Sequence, residues 1–275
     1  MSNAPTLRLI HHLPRSGGTV MCKCIGSLPG VILLSEINPR AVSAMTPLLE
    51  PVFQASFWFR LFDEATAAAL LASNAGFAEK IRFIADHAAR RGERLVIRDW
   101  TYIDFFARPY RAEPTYRLSL AEALADSFEM RQAFTVRHPL DQWLSWVNYA
   151  ERPADVSLEA FMRHCRNFAE LAGRADFIRY EDFVAHRDAS MKKFCDLLAL
   201  PFDPVYATRW RFYRTISGEV WGGRRGAQVR KLTRRACDEA LLDRLYANED
   251  YRTTLALLGY RHEEVPPAPG RAGPP

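Results

Sequence analysis

The chain has 275 residues, 48% of them hydrophobic and 25% charged, so it can bury one substantial core and is not a wholly disordered chain. Its net charge of +5 suits an anionic ligand, but the basic residues are scattered; we expect no nucleic-acid partner and, without a long apolar run, no membrane-spanning segment. Five cysteines, an odd number, and the lack of a recognisable N-terminal signal sequence predict reduced thiols in a cytoplasmic protein.

The first informative stretch is a strand, a polar turn and a helix. Apolar residues over 7–10 predict the strand, residues 14–19 the turn, and helical spacing over 20–28 the helix. Free backbone N–H groups at a helix start, together with the helix dipole, bind anions, and glycines allow a close approach. The cation of this turn is Arg15, at its beginning, and the lysine that ends a Walker A loop is absent. The residues predicted to bind the anion are Arg15, Ser16, Gly17, Gly18, Thr19 and Val20.

Acidic residues follow the next two predicted strands. The strand at Val31–Leu34 leads to Glu36, and the strand at Arg94–Arg98 leads to Asp99. Because ligands collect at the carboxyl edge of a parallel sheet, we expect Glu36 on the same rim as the Arg15 turn. From position alone, a solvated loop acid or a cap of the next helix explains Glu36 equally well.

Between these strands lie residues 47–62, which are rich in aromatic side chains, and residues 63–91, which show helical spacing. A second aromatic cluster covers residues 102–110. We interpret both clusters as core-facing, with the wall of an acceptor pocket as the alternative.

A second motif follows the strand predicted at Met130–Val136. Arg137 stands at the end of that strand, Pro139 suits the first turn of a helix, and Ser145 lies further along the same helix. Arg137 and Ser145 can therefore meet on one anion if it lies along the flank of the helix.

The C-terminal half completes the alternation of helices and strands. The remaining predicted elements are helices over 157–173, 181–200 and 233–258 and a strand over 176–180. A glycine- and arginine-rich loop at 217–226 carries Arg224 and Arg225, and we interpret it as a cationic flap over a phosphate. Residues 1–262 are predicted to form a single domain, and the Pro/Gly-rich tail at 263–275 is predicted to be disordered.

This alternation predicts an α/β fold with a mainly parallel central sheet flanked by helices. Within it, three segments resemble the sulfotransferases that use PAPS (3′-phosphoadenosine 5′-phosphosulfate). Residues 14–19, Pro-Arg-Ser-Gly-Gly-Thr, resemble the P-loop-like phosphosulfate loop of that family, Pro-Arg-Ser-Gly-Thr-Thr, with Gly18 in place of a threonine. Residues 137–145 match its 3′-phosphate motif, Arg-x-Pro-x-Asp-x-x-x-Ser, and residues 179–183 are similar to a segment frequent in bacterial members.

The resemblance implies transfer of a sulfuryl group from PAPS to a hydroxyl or amine of a small molecule, with release of PAP and without a metal. Arg15 and the N–H groups of its turn would hold the sulfuryl end. Arg137 and Ser145 would hold the 3′-phosphate, with Arg224 and Arg225 as a loose substitute for the family's Arg-Lys-Gly segment.

The resemblance also implies a base that takes the proton of the acceptor. In members related to tyrosylprotein sulfotransferases the base is a glutamate after the second strand, a position that Glu36 matches. His12 and Asp99 are the reserve candidates. Two other functions stay open at this point: an ATP-dependent phosphotransferase on the same fold, and a non-catalytic nucleotide-binding module.

Overall fold

The computed structural model describes residues 4–41, 47–107, 113–149, 155–217 and 234–261. Arg224, Arg225 and the tail at 263–275 lie outside these residues, and so do the predictions made for them. Within the described part, no helix is both long and apolar enough to cross a bilayer.

A five-stranded parallel sheet lies at the centre of the described chain and confirms the predicted α/β architecture. The strands are β1 (Thr6–His12), β2 (Val31–Ile37), β3 (Arg94–Asp99), β4 (Glu129–Val136) and β5 (Phe177–Arg179). Their order across the sheet is β2-β3-β1-β4-β5. From β1 the chain continues to β2 at one edge of the sheet, and from β4 it continues to β5 at the opposite edge. The switch point, where α/β proteins bind ligands, therefore lies between the carboxyl ends of β1 and β4.

Helices surround the sheet. They are α1 (Gly18–Gly26), α2 (Pro51–Phe53), α3 (Glu64–Ala72), α4 (Phe77–Arg90), α5 (Tyr102–Phe106), α6 (Ser119–Leu124), α7 (Pro139–Val147), α8 (Leu158–Ala172), α9 (Tyr180–Ala185), α10 (Arg187–Leu197), α11 (Tyr206–Arg209), α12 (Glu239–Ala247) and α13 (Glu249–Leu258). Short 3-10 turns span Pro47–Leu49 and Trp210–Phe212, and a π-helix spans Gln54–Trp58.

Neighbouring residues of β1 are buried on opposite faces of the sheet, as the pleat of a strand requires. Leu9 belongs to a hydrophobic cluster with Ile84 of α4. Ile10 belongs to a second cluster with Met21 of α1 and Phe194 of α10. Both faces of the sheet are therefore covered by helices, which is typical of parallel sheets.

Strand β2 is longer than the sequence predicts. We place its end at Leu34 from the sequence, but the ladder to β3 continues to Ile37, with a shift of register between Ser35 and Ile37. Glu36 occupies this bulge with φ at 57°, in the left-handed region. A bulge re-aims a side chain without ending the strand. Glu36 thus sits within the end of the strand and not in the loop after it.

Helix ends depend on capping residues. Ser157 caps α8, because its Oγ accepts a hydrogen bond from the N–H of Ala160 at 3.1 Å. The helix predicted over 233–258 is instead α12 and α13, since Asn248 caps α13 by accepting from the N–H of Tyr251 at 2.8 Å. Asn and Asp side chains compete in this way with the helix for backbone hydrogen bonds, and the spacing of apolar residues does not show where one helix ends and the next begins.

Candidate functional site

The turn between β1 and α1 contains two residues with left-handed backbone. Arg15 has φ at 67° and Gly17 has φ at 87°. Ser16 donates from its N–H and from its hydroxyl to the carbonyl of Leu13, at 3.4 and 2.8 Å. A Cβ on Gly17 would lie 2.2 Å from a ring carbon of Tyr180. Position 17 therefore requires glycine both for its backbone and for the aromatic ring that packs on it.

Helix α1 starts directly after this turn, at Gly18, with no side-chain cap at its N-terminus. The N–H groups of a helix's first turn have no partner within the helix. Those of Gly18, Thr19 and Val20 occupy that position here. The turn thus has the strand, loop and helix geometry that the sequence predicts for an anion site.

Arg15, Arg137 and Ser145 come together next to this turn. Arg137 Nη1 donates to the backbone carbonyl of Arg15 at 3.1 Å, and Arg15 Nε donates to Ser145 Oγ at 3.1 Å. Arg137 Nε is buried and has no hydrogen-bond partner among the described residues. The guanidinium of Arg15 lies 4.7 Å from the ring centroid of Tyr149, and that of Arg137 lies 5.1 Å from the ring centroid of Tyr180. Two cations that follow different strands therefore share one cluster at the switch point.

The segment after β5 supports this cluster from behind. Glu181 Oε1 accepts from the N–H of His138 at 3.0 Å, and its Oε2 accepts from the hydroxyl of Tyr260 at 2.7 Å. Burial raises the pKa of Glu181. Since the preceding Tyr180 packs on Gly17, this segment contacts both loops and holds them in register. The sequence predicts a helix that begins at Glu181 but does not predict the partners of its carboxylate.

Arg98, near the end of β3, lies at the centre of the site, but its sequence context does not identify it as functional. Only 3% of the surface of Arg98 is exposed. Its Nε donates to His12 Nε2 at 2.7 Å. The other partners of its guanidinium are Ser35 Oγ (3.2 Å), the Ser217 carbonyl (3.2 Å), Thr19 Oγ1 (3.2 Å) and Glu36 Oε1 (3.1 Å). A cationic residue directly after three apolar residues of a predicted strand is the signal that could have found it, because a buried charge needs partners.

Glu36 lies at the rim of the site, with 22% of its side chain exposed. The residue before it is fixed by Gln54, whose Oε1 accepts from the N–H of Ser35 at 2.7 Å and whose Nε2 donates to the Ser35 carbonyl at 2.8 Å. Through Arg98, Glu36 is tied to Thr19 at the start of α1. The structure thus places Glu36 beside the turn of Arg15, on the rim where we expect it.

The two reserve candidates for the base are more enclosed than Glu36. His12 Nδ1 lies 3.1 Å from the carbonyl of Leu13, and burial, followed by the charge of Arg98, lowers the pKa of His12 to about 3. Asp99 is 1% exposed, and its Oδ2 lies 2.8 Å from His11 Nδ1. Burial raises the pKa of Asp99. Both side chains are already engaged inside the fold.

Among the described residues, no three His, Cys, Asp or Glu side chains are placed to hold a metal ion. The absence of a metal from the reaction stays a prediction. All five cysteines are free and buried. Burial raises the pKa of Cys22, next to the site, to about 12, so that thiol stays protonated at neutral pH.

No protein-family model and no curated protein matches this sequence. Solved structures do match. The sulfotransferase domain of the Synechococcus PCC 7002 olefin synthase superposes with a TM-score of 0.67 at 16% identity, covering 97% of this chain and 98% of that one. The sulfotransferase domain of the curacin biosynthetic pathway gives 0.63 at 17% identity, covering 94% and 99%. The chain has the sulfotransferase fold. This confirms the predicted resemblance to sulfotransferases at the level of the fold.

The loop of this sulfotransferase fold departs from the family pattern at Gly18, and the structure shows what the glycine accommodates. A Cβ at position 18 would lie 2.4 to 2.5 Å from ring atoms of His12. The histidine before the loop and the glycine within it are therefore one packing unit.

Residues 218–233 are not described, but the residues on either side of them form hydrogen bonds at the candidate site. Before this segment, the N–H of Ser217 donates to Ser35 Oγ at 3.2 Å. After it, Arg234 donates to both oxygens of Asp141 at 2.7 and 2.8 Å. Asp141, which belongs to the motif of Arg137 and Ser145, thus anchors the C-terminal part of the chain to α7.

Proposed function

We propose that the protein is a sulfotransferase that moves a sulfuryl group from PAPS to a hydroxyl or amine of a small-molecule acceptor and releases PAP. The observation that carries this proposal is the meeting of the two predicted anion motifs. Arg137 donates to the carbonyl of Arg15, whose guanidinium donates to Ser145. If the two motifs opened onto different surfaces, a single nucleotide could not touch both.

The residues present fit a nucleotide with anionic groups at two ends. The buried Arg137 Nε without a described partner, together with Ser145, suits the 3′-phosphate, because a guanidinium fork matches phosphate oxygens. The first-turn N–H groups of α1 and the hydroxyl of Thr19 suit the phosphosulfate. Arg15 lies between these two groups of donors.

In the proposed reaction, a lone pair of the acceptor oxygen or nitrogen forms a bond to sulfur. The bond from sulfur to the bridging oxygen breaks, and its electron pair leaves with PAP. The proton that the acceptor loses goes to the carboxylate of Glu36. The protein mainly positions these groups and stabilises the charge of the leaving phosphate, as in phosphoryl transfer.

Calorimetry with PAP and with ATP-Mg²⁺ tests the nucleotide. We expect PAP to bind at least about tenfold more tightly than ATP-Mg²⁺, a difference of roughly 1.4 kcal/mol. Arg137→Ala should weaken the binding of PAP. Arg131→Ala is the matched control, since Arg131 is an exposed arginine of β4, the strand that Arg137 follows, and is paired with Glu129. A preference for ATP-Mg²⁺ would instead identify a phosphotransferase and reject the proposal.

Turnover tests the reaction itself. Purified protein is incubated with PAPS and a panel of phenols, alcohols and amines, and release of PAP is measured. An acceptor-dependent rate is expected. Tight binding of PAP with no turnover on any acceptor or on water would reveal a non-catalytic binding module.

A further inference from the structure

The Arg98 guanidinium makes four hydrogen bonds and one ion pair. Its Nε–H donates to His12, Nη1 donates to Ser35 and the Ser217 carbonyl, and Nη2 donates to Thr19 and pairs with the carboxylate of Glu36. Because the guanidinium is a rigid plane, these partners fix its orientation. Arg98 thus links the end of β2 to the first turn of α1.

His12 is the acceptor that orients this plane. Its Nδ1 lies 3.1 Å from the carbonyl of Leu13, which accepts only, so the ring proton is on Nδ1 and the lone pair of Nε2 faces Arg98. A protonated His12 would present a second N–H to the Nε–H of Arg98 and break the contact. Apart from Arg98, the titratable group that acts on His12 is His11.

Glycine at position 18 is what allows the ring of His12 to lie there. Thr19, the next residue, receives an N–H of the same guanidinium. A side chain at 18 would push the ring away from Arg98, because the nearest ring atom would be 2.4 Å from the new Cβ. Gly18, His12 and Arg98 therefore act as one unit.

We infer that Arg98 is a positioning residue of the proposed reaction: oriented by neutral His12 in the space left by Gly18, it holds Glu36 against the sulfuryl-binding turn. This inference rests on the proposed function. Glu36 needs such a restraint because its left-handed backbone, with φ at 57°, is less stable than an extended one. His12 is accordingly part of the support of the site and does not take the acceptor's proton.

The first test is Arg98→Lys, which keeps the charge and removes the fork. The probe is the slow conversion of PAPS to PAP with water as acceptor. We expect kcat to fall by roughly 100-fold, the effect of a misplacement of about 1 Å, while the Kd of PAP changes by less than about threefold. Arg94→Lys, at the other end of β3, is the matched control and should change neither quantity. Unchanged kcat in Arg98→Lys, or an equal loss of PAP affinity and turnover, would overturn the inference.

The second test is the coupling between positions 18 and 12. Gly18→Thr restores the residue typical of the family, yet we expect it to lower kcat in the same assay. His12→Asn with Gly18→Thr should recover part of the loss, because the asparagine is smaller and its carbonyl can still accept from Arg98. Gly76→Thr is the control, since the nearest atom to its Cβ would be 3.5 Å away. An unchanged kcat in Gly18→Thr would show that positions 18 and 12 are not coupled and would overturn this part of the inference.

A measurement without turnover separates this inference from the proposed function. Nitrogen NMR of histidine-labelled protein, with His12→Asn to assign the signal, should show His12 neutral and protonated on Nδ1 from pH 5 to 8. Titration of His12 near its ordinary pKa of 6.5 would overturn the inference even if the protein proves to be a sulfotransferase. Failure to bind PAP would reject the proposed function and leave this result standing.

Discussion

Glu36 is the residue on which the proposed chemistry depends most directly. Glu36→Gln preserves the size of the side chain but removes the carboxylate that accepts the proton. Because general base catalysis contributes about 10²–10⁴-fold, we expect kcat with PAPS to fall by about that factor, with little change in the Kd of PAP. Glu64→Gln, an exposed acid in the first turn of α3, is the control. If Glu36→Gln retains the wild-type rate, another group takes the proton.

His12 shows how a residue can be near the chemistry without performing it. From the sequence it is a reserve base, because a histidine before an anion loop has the appropriate ordinary pKa. In the structure the donors and acceptors around it use both ring nitrogens. A base must have a lone pair free to receive the acceptor's proton, and the geometry therefore favours Glu36 for that role.

At the scale of elements, the turn between β1 and α1 is limited by its neighbours as much as by its own backbone. Gly17 and Gly92 both have left-handed φ, at 87° and 72°, but a Cβ on Gly92 would meet nothing within 4 Å. Gly92→Ala should therefore lower the free energy of unfolding by about 1–2 kcal/mol, the backbone term alone. Gly17→Ala should lower it further and weaken PAP binding, because the ring of Tyr180 must also move.

Urea unfolding and calorimetry with PAP measure these two effects for each alanine variant. The comparison isolates the contact with Tyr180, since the backbone change is the same. Equal loss of stability in the two variants, with unchanged PAP affinity, would show that the ring does not constrain the turn.

The whole molecule shows which parts of the fold follow from local sequence. The strands, the loop of Arg15 and the Pro139 start of α7 follow from patterns within a few residues of each other, and the sheet confirms that architecture. The site of Arg98 does not follow from local sequence, because its partners His12 and Ser217 are 86 and 119 residues away. The bulge at Glu36 likewise depends on pairing with β3, which periodicity in β2 cannot indicate.

Buried histidines also make the stability of the whole molecule depend on pH. Burial lowers the pKa of His12 to about 3 and that of His164 to about 4, from an ordinary value of 6.5. Between pH 6.5 and about 4, the unfolded chain therefore binds protons that the folded chain does not. The stability that each neutral histidine contributes is complete above pH 6.5 and is lost as the pH falls. Raised carboxyl pKa values, as for Asp99 and Glu181, act in the opposite direction.

A comparison of variants separates the contribution of one histidine from the total pH dependence of stability. His164→Asn should lose less stability than the wild type between pH 6 and pH 4.5, by about 2 kcal/mol at about 1.4 kcal/mol per pH unit. His164 accepts or donates one bond with the hydroxyl of Tyr116 at 3.1 Å, so the variant's absolute stability also changes, and only the slope is diagnostic. His186→Asn, at an exposed histidine, should follow the wild-type slope. Urea unfolding at several pH values measures these slopes. Parallel curves of stability against pH for His164→Asn and the wild type would show that His164 binds its proton as readily in the folded protein as in the unfolded chain.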